Sequence, residues 1–173
     1  MNNSLYILLA ILYFVACSCN NQREQNVNPD KLSREDLGDI NRYLVEKDRE
    51  RIQNYIERKK LRMTESASGL WYMIIKEGKG DNIIDNDRIS VDYTCSLLDG
   101  TLCYSSEELG PMEITLGRGE LEAGLNEGLR MLKPGGEAIF ILPPFLAYGL
   151  IGDDKAIPPR ATLVYEVEIL KKE

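Results

Sequence analysis

The chain has 173 residues and no histidine, an absence that settles much of its chemistry. Ser-His and Cys-His nucleophile pairs, histidine general bases and histidine metal sites are all excluded. The four cysteines, Cys17, Cys19, Cys95 and Cys103, fit neither a CxxC motif nor a four-ligand zinc spacing. There is no P-loop, GxSxG elbow or EF-hand loop, and Gly117-Arg118-Gly119 with Gly124 misplaces the third glycine of a dinucleotide fingerprint. Such a chain is expected to work without a metal, a cofactor or a covalent intermediate.

The elements that position these residues follow from composition and periodicity. Hydrophobic residues at 43% and charged residues at 28% are ordinary for a globular domain. The net charge of -7 offers no basic stripe to a phosphate backbone, so no nucleic acid partner is expected.

Leu5 to Ala16 is an apolar run too short to span a bilayer, which takes about 20 residues, but long enough for a signal-peptide core. Phe14-Val15-Ala16-Cys17 resembles a bacterial lipobox, although Phe14 replaces the usual leucine and no lysine or arginine precedes the run. The resemblance implies a signal peptide at 1–16 and lipid attachment at Cys17. Cleavage before Cys19, or an ordinary signal without lipid, is the alternative. With the lipid, the protein is anchored to a bacterial membrane in the cell envelope, facing the periplasm. Residues 17–31 read as a polar tether.

A helical extension is expected over 32–64. Ser33 is a natural N-cap before Arg34-Glu35-Asp36, and Leu37, Ile40, Tyr43, Leu44, Ile52, Tyr55 and Ile56 recur at helical steps. The stripe is narrow in a densely charged segment. It therefore docks on the domain, pairs with a second copy as a homodimer, or remains a solvated spacer.

From Gly69 the period changes to two. Ile89, Val91, Tyr93, Cys95 and Leu97 alternate with polar residues, and Leu163, Tyr165, Val167 and Ile169 do so near the end. Leu98-Asp99-Gly100 turns the first of these strands into a hairpin, with Gly100 in the left-handed position. Leu121, Leu125, Leu129 and Leu132 repeat at close to helical spacing, and Pro134-Gly135-Gly136 stops the helix. The expected class is α+β, one short helix covering a face of an antiparallel sheet.

Val91-Asp92-Tyr93-Thr94, Leu98-Asp99-Gly100-Thr101, Ala147-Tyr148-Gly149 and the run Ile157-Pro158-Pro159-Arg160-Ala161-Thr162-Leu163-Val164-Tyr165-Glu166-Val167 resemble FKBP-family blocks, in family order. The resemblance covers 69–173, and with the extension it is similar to FKBP lipoproteins associated with gliding motility. It implies an FKBP-like twisted antiparallel sheet wrapped around a short helix, and peptidyl-prolyl cis-trans isomerisation of proline-containing exported polypeptides. Amide rotation requires only a dry pocket that fits the twisted amide better than the planar forms. The pocket it implies comprises Tyr93, Tyr148, Tyr165, Leu121, Leu125 and Ile157. Tyr148 would donate its hydroxyl and Glu122 its backbone N–H to the substrate. Each of these also reads as a plain core position, Tyr148 least so, since it sits beside Gly149 in a loop outside any periodic segment. Cys103, Tyr104 and Met112 would line the substrate wall. There the sequence departs from the family: Leu125 stands for a common tryptophan, Cys103 and Met112 for two phenylalanines, and Tyr104 for an aspartate. The departures imply a wider, softer pocket and a weaker catalyst, or a binding or chaperone module on the same fold.

If Leu98-Asp99-Gly100 is a three-residue loop, Cys95 falls opposite Cys103, within disulfide reach. Two free thiols, or a one-residue slip that sets Cys95 opposite Tyr104, are the other readings.

Overall fold

The computed structural model describes residues 33–119 and 121–172. The proposed signal peptide, the tether and Cys17 lie outside the described residues. The chain divides after Gly38 into two units, and the second, Asp39–Glu173, carries the whole sheet.

Helix α1 spans Arg34–Lys59. At its start the Asp36 N–H donates to Ser33 Oγ at 3.1 Å, and the Ser33 N–H donates back to Asp36 Oδ2 at 2.9 Å, so cap and first turn satisfy each other. The Ser33 hydroxyl, donating to Asp36 Oδ2 at 2.7 Å, and then the Ser33 N–H hold the Asp36 carboxyl below its ordinary range. At the other end Lys60 turns left-handed (φ 56), and the Leu61 N–H closes on the Ile56 carbonyl at 3.0 Å. Of the apolar stripe, Ile52 is buried against Ile141 and Val164, with Tyr55, Ile56, Met63, Trp71, Leu98 and Ile139 packed around them. Leu37, Ile40 and Tyr43 remain exposed, so the expected docking stripe narrows to its C-terminal half.

The strands are β1 (Thr64–Glu65), β2 (Trp71–Lys76), β3 (Arg88–Leu97), β4 (Leu102–Ser105), β5 (Met112–Thr115), β6 (Glu137–Leu142) and β7 (Leu163–Lys172). The sheet runs β1-β2-β6-β7-β3-β4, antiparallel throughout, with β5 beside the first half of β3. The alternation read in the sequence sorts its two faces. Phe140, Leu142, Leu163, Tyr165 and Val167 point to the main core, while Ile141 and Val164 meet α1.

Against the main-core face lies α3, Ala123–Leu129, which follows the single turn α2, Ser106–Leu109. Helix α3 is shorter than the leucine spacing suggests: Leu121 precedes it and Leu132 follows it in a turn. Leu125, Leu129 and Leu132 are all fully buried. Two glycines let α3 sit directly on the sheet. A Cβ on Gly128 would meet the Phe140 ring at 2.8 Å, and one on Gly124 would meet Leu142 Cγ at 2.7 Å. The sequence therefore yields a twisted sheet with a short helix pressed on one face, the expected α+β class.

The hairpin corrects the cysteine geometry. The Leu97 N–H bonds the Thr101 carbonyl at 2.9 Å, Gly100 is left-handed (φ 94), and Ser96 pairs with Leu102, as the three-residue loop requires. One step further a bulge inserts Cys103, and Cys95 pairs with Tyr104. Cys95 and Cys103 are free thiols, the first buried and the second half-buried.

Candidate functional site

Several tyrosines converge on the main core between α3 and the β3–β7 strands. Cys95 and Tyr165 are register partners on β3 and β7, and the Tyr93 ring lies 6.5 Å from that of Tyr165, tilted by 37°. Ile157 and Leu125 are buried in the same cluster, with Tyr93, Cys103, Tyr104, Met112, Leu121 and Tyr148 packed partly buried against it. The structure thus gathers the apolar and aromatic residues expected of the pocket into one cluster. The 3-10 turn Pro144–Leu146 leads into Tyr148, and the Gly149 N–H returns to the Pro144 carbonyl at 2.8 Å, which fixes where the tyrosine leaves the chain.

Glu122 enters the site through its side chain. Its carboxylate accepts the Tyr165 hydroxyl at 2.9 Å. Burial, followed by a hydrogen bond to Glu122, pushes the Tyr148 hydroxyl well above the ordinary tyrosine range. Burial and then the Glu122 charge do the same to Tyr165, so both phenols stay protonated as donors. Burial also pushes the Cys95 thiol up to about 12, and burial raises Cys103 above its ordinary value. Neither cysteine is an activated nucleophile.

Asp153 completes the wall, and sequence reasoning missed it. Its carboxylate accepts the Tyr104 hydroxyl. It also accepts the backbone N–H groups of Lys155 at 2.9 Å and Ile157 at 2.8 Å. Burial opposes its ionisation, but these hydrogen bonds outweigh it and hold the carboxyl below the usual range. The tyrosine at position 104 therefore reaches a carboxylate brought in by another loop. Nothing local in Gly152-Asp153-Asp154-Lys155 distinguishes this from a solvated loop, and only the fold brings it to Tyr104. Glu122 carried a better signal: an acid at the mouth of a helix whose next turns are apolar.

Leu125 and Ile157 buried beneath partly exposed tyrosines, with a short helix on one face of an antiparallel sheet, define the class of fold. The sequence profile of the FKBP-type peptidyl-prolyl cis-trans isomerases matches residues 80–170. An "FK506-binding protein" of Neisseria meningitidis serogroup B is 39% identical over 104 residues, 60% of this chain and 95% of the relative. A "Probable FKBP-type peptidyl-prolyl cis-trans isomerase" of Haemophilus influenzae is 42% identical over 106 residues. That match takes in 61% of this chain but only 43% of the relative, so the similarity spans about two fifths of such longer relatives. The crystal structure of FkpA from Escherichia coli superposes at a TM-score of 0.65 and 27% identity, over 100% of this chain and 83% of that one. AtFKBP13 superposes at 0.60 and 27%, over 65% of this chain and 99% of that one. This chain belongs to the FKBP-type peptidyl-prolyl cis-trans isomerase family.

Among the described residues no helix is long and apolar enough to cross a membrane.

Proposed function

We propose that this protein is a peptidyl-prolyl cis-trans isomerase that assists proline-containing polypeptides exported to the cell envelope, itself held at a membrane by lipid on Cys17. The observation that carries the catalytic reading is the convergence of Tyr93, Tyr148, Tyr165, Leu121, Leu125 and Ile157 on one apolar cluster. An X-Pro bond turns over in tens to hundreds of seconds because rotation breaks amide resonance. A proline ring seated on Leu125 and Ile157 leaves the water that favours the planar amide. The Tyr148 hydroxyl then donates to the carbonyl as it rotates. Each ~1.4 kcal/mol of preference for the twisted form gives about tenfold in rate. The substrate end of the pocket, at Cys103, Tyr104 and Met112, receives the residue preceding proline, and an apolar one fits best. The test is the refolding of a protein whose slow phase is X-Pro isomerisation. Catalysis shortens that phase in proportion to added protein, whereas an unchanged phase at high concentration counts against an enzyme.

The second reading is a binding or chaperone module, and Glu122 favours it. Its carboxylate engages the hydroxyl that a catalyst would offer to substrate. Protection of unfolded clients from aggregation without faster isomerisation would select this reading. The exposed stripe of Leu37, Ile40 and Tyr43 supports self-association through the helical extension.

A further inference from the structure

Asp48 is an acid on α1 whose side chain is only 4% exposed, and the chemistry above makes no use of it. Its Oδ2 accepts from Arg160 Nη2 at 2.7 Å, while its Oδ1 has no hydrogen-bond partner among the described residues and lies 3.7 Å from Arg51 Nη1. Arg160 is one of the few non-glycine residues with a left-handed backbone (φ 58). An arginine adopts that conformation only where surrounding contacts over-determine it. Those contacts lead into the pocket. The Arg160 N–H donates to the Gly149 carbonyl at 3.0 Å, one residue from Tyr148. Three residues before Arg160, Ile157 lies in the core, clamped by Asp153. Arg160 therefore joins the two loops that supply Tyr148 and Ile157, and its guanidinium reaches the helical extension.

We infer that Asp48 is a positioning residue of the isomerase site, acting through Arg160 on the loops that carry Tyr148 and Ile157. The extension thereby belongs to the working domain and is more than a stalk. The inference rests on the isomerase reading for its kinetic arm and on geometry alone for its second arm. Arg160 is the partner to leave intact. Removing it would strand a buried carboxylate and unfold the region, whereas Asp48→Ala releases a guanidinium that is already 29% exposed to water.

The experiment uses the full mature chain with Asp48→Ala, the conservative Asp48→Asn, which keeps an acceptor for the guanidinium, and Ile52→Ala. The last loosens α1 one turn from Asp48 while removing neither member of the Asp48–Arg160 pair. At a temperature where all are folded, Asp48→Ala is expected to lower kcat/KM on a Leu-Pro peptide about tenfold, since catalysis tolerates small misplacements poorly. Asp48→Asn recovers most of that loss, and Ile52→Ala stays within about twofold of the parent. Independently of activity, exchange of the Arg160 amide by local opening, measured against the β6–β7 amides that report global unfolding, accelerates about tenfold in Asp48→Ala and not in Ile52→Ala. Unchanged Arg160 exchange in Asp48→Ala, or equal kinetic losses in Asp48→Ala and Ile52→Ala, overturns the inference. A parent without isomerase activity defeats the catalytic reading but leaves the exchange comparison to decide the positioning claim.

Discussion

Ile52→Ala probes whether α1 from Asp39 onward is one cooperative unit with the sheet. Ile52 is 1% exposed and sits on Ile141 and Val164, beside Trp71. Truncating a buried isoleucine to alanine costs about 2–5 kcal/mol, with the spread set by how far the site can relax. Here Ile52 also lines a groove of about 220 Å³, with Val45, Arg49, Trp71 and Phe145 among its other walls. The vacated space opens toward that groove, which places the loss near the lower end, about 2–3 kcal/mol. At about 3–5 °C per kcal/mol for a unit of this size, the midpoint falls by roughly 6–15 °C. Trp71 is the only tryptophan and packs at this contact, so its fluorescence reports the helix–sheet junction while far-UV circular dichroism reports the whole. Urea titrations by the two probes should coincide in parent and variant, displaced by the same amount. Leu37→Ala, at an exposed position, should stay within about 0.5 kcal/mol of the parent. A shift below about 0.5 kcal/mol for Ile52→Ala, or two separate transitions, would refute the reasoning.

Gly128→Ala forces a methyl against the Phe140 ring, so it should destabilise by about 1–3 kcal/mol despite alanine's better helix propensity, as thermal unfolding will show. Cys95 should resist alkylation near neutral pH until the protein unfolds, and the half-buried Cys103 should react first. Peptide mapping checks the order, and a Cys95–Cys103 cross-link in unreduced protein contradicts it. The folded-state pKa of Asp153 lies below its ordinary value of 3.8. Its contribution is therefore complete above that value and lost as pH falls through the folded pKa. Asp153→Asn should flatten the acid limb of the stability–pH curve, and an unaltered limb would mean that the carboxylate's hydrogen bonds contribute nothing.

The strand alternation of β3 and β7 and the Gly100 turn were legible because each is written in local spacing, whereas the tyrosines were singled out only through the family resemblance. Burial then follows from the period of two. The length of α3 was not, since the leucine run continues past the helix into a turn that buries Leu132 equally well. The Cys95–Cys103 pairing failed for a similar reason. The loop was read correctly, but the inserted Cys103 leaves no mark in the residues around it. The docking of α1 through Ile52 rests on distant strands, and the pairings of Asp48 with Arg160 and of Asp153 with Tyr104 join residues 112 and 49 apart in sequence. Spacing carries no information at that range. Glu122 falls between these cases: it was placed in the pocket for its backbone N–H, and it is the carboxylate that the tyrosines hold.

The central claim is that this pocket lowers the barrier to prolyl rotation. A protease-coupled assay on a Leu-Pro peptide, with parent protein beside Tyr148→Phe, tests it most directly. The account predicts isomerisation above the uncatalysed rate in proportion to parent concentration. Tyr148→Phe should reduce kcat/KM about tenfold or less, the worth of one hydrogen bond of about 1 kcal/mol. A parent rate indistinguishable from the uncatalysed reaction at high protein concentration would contradict it.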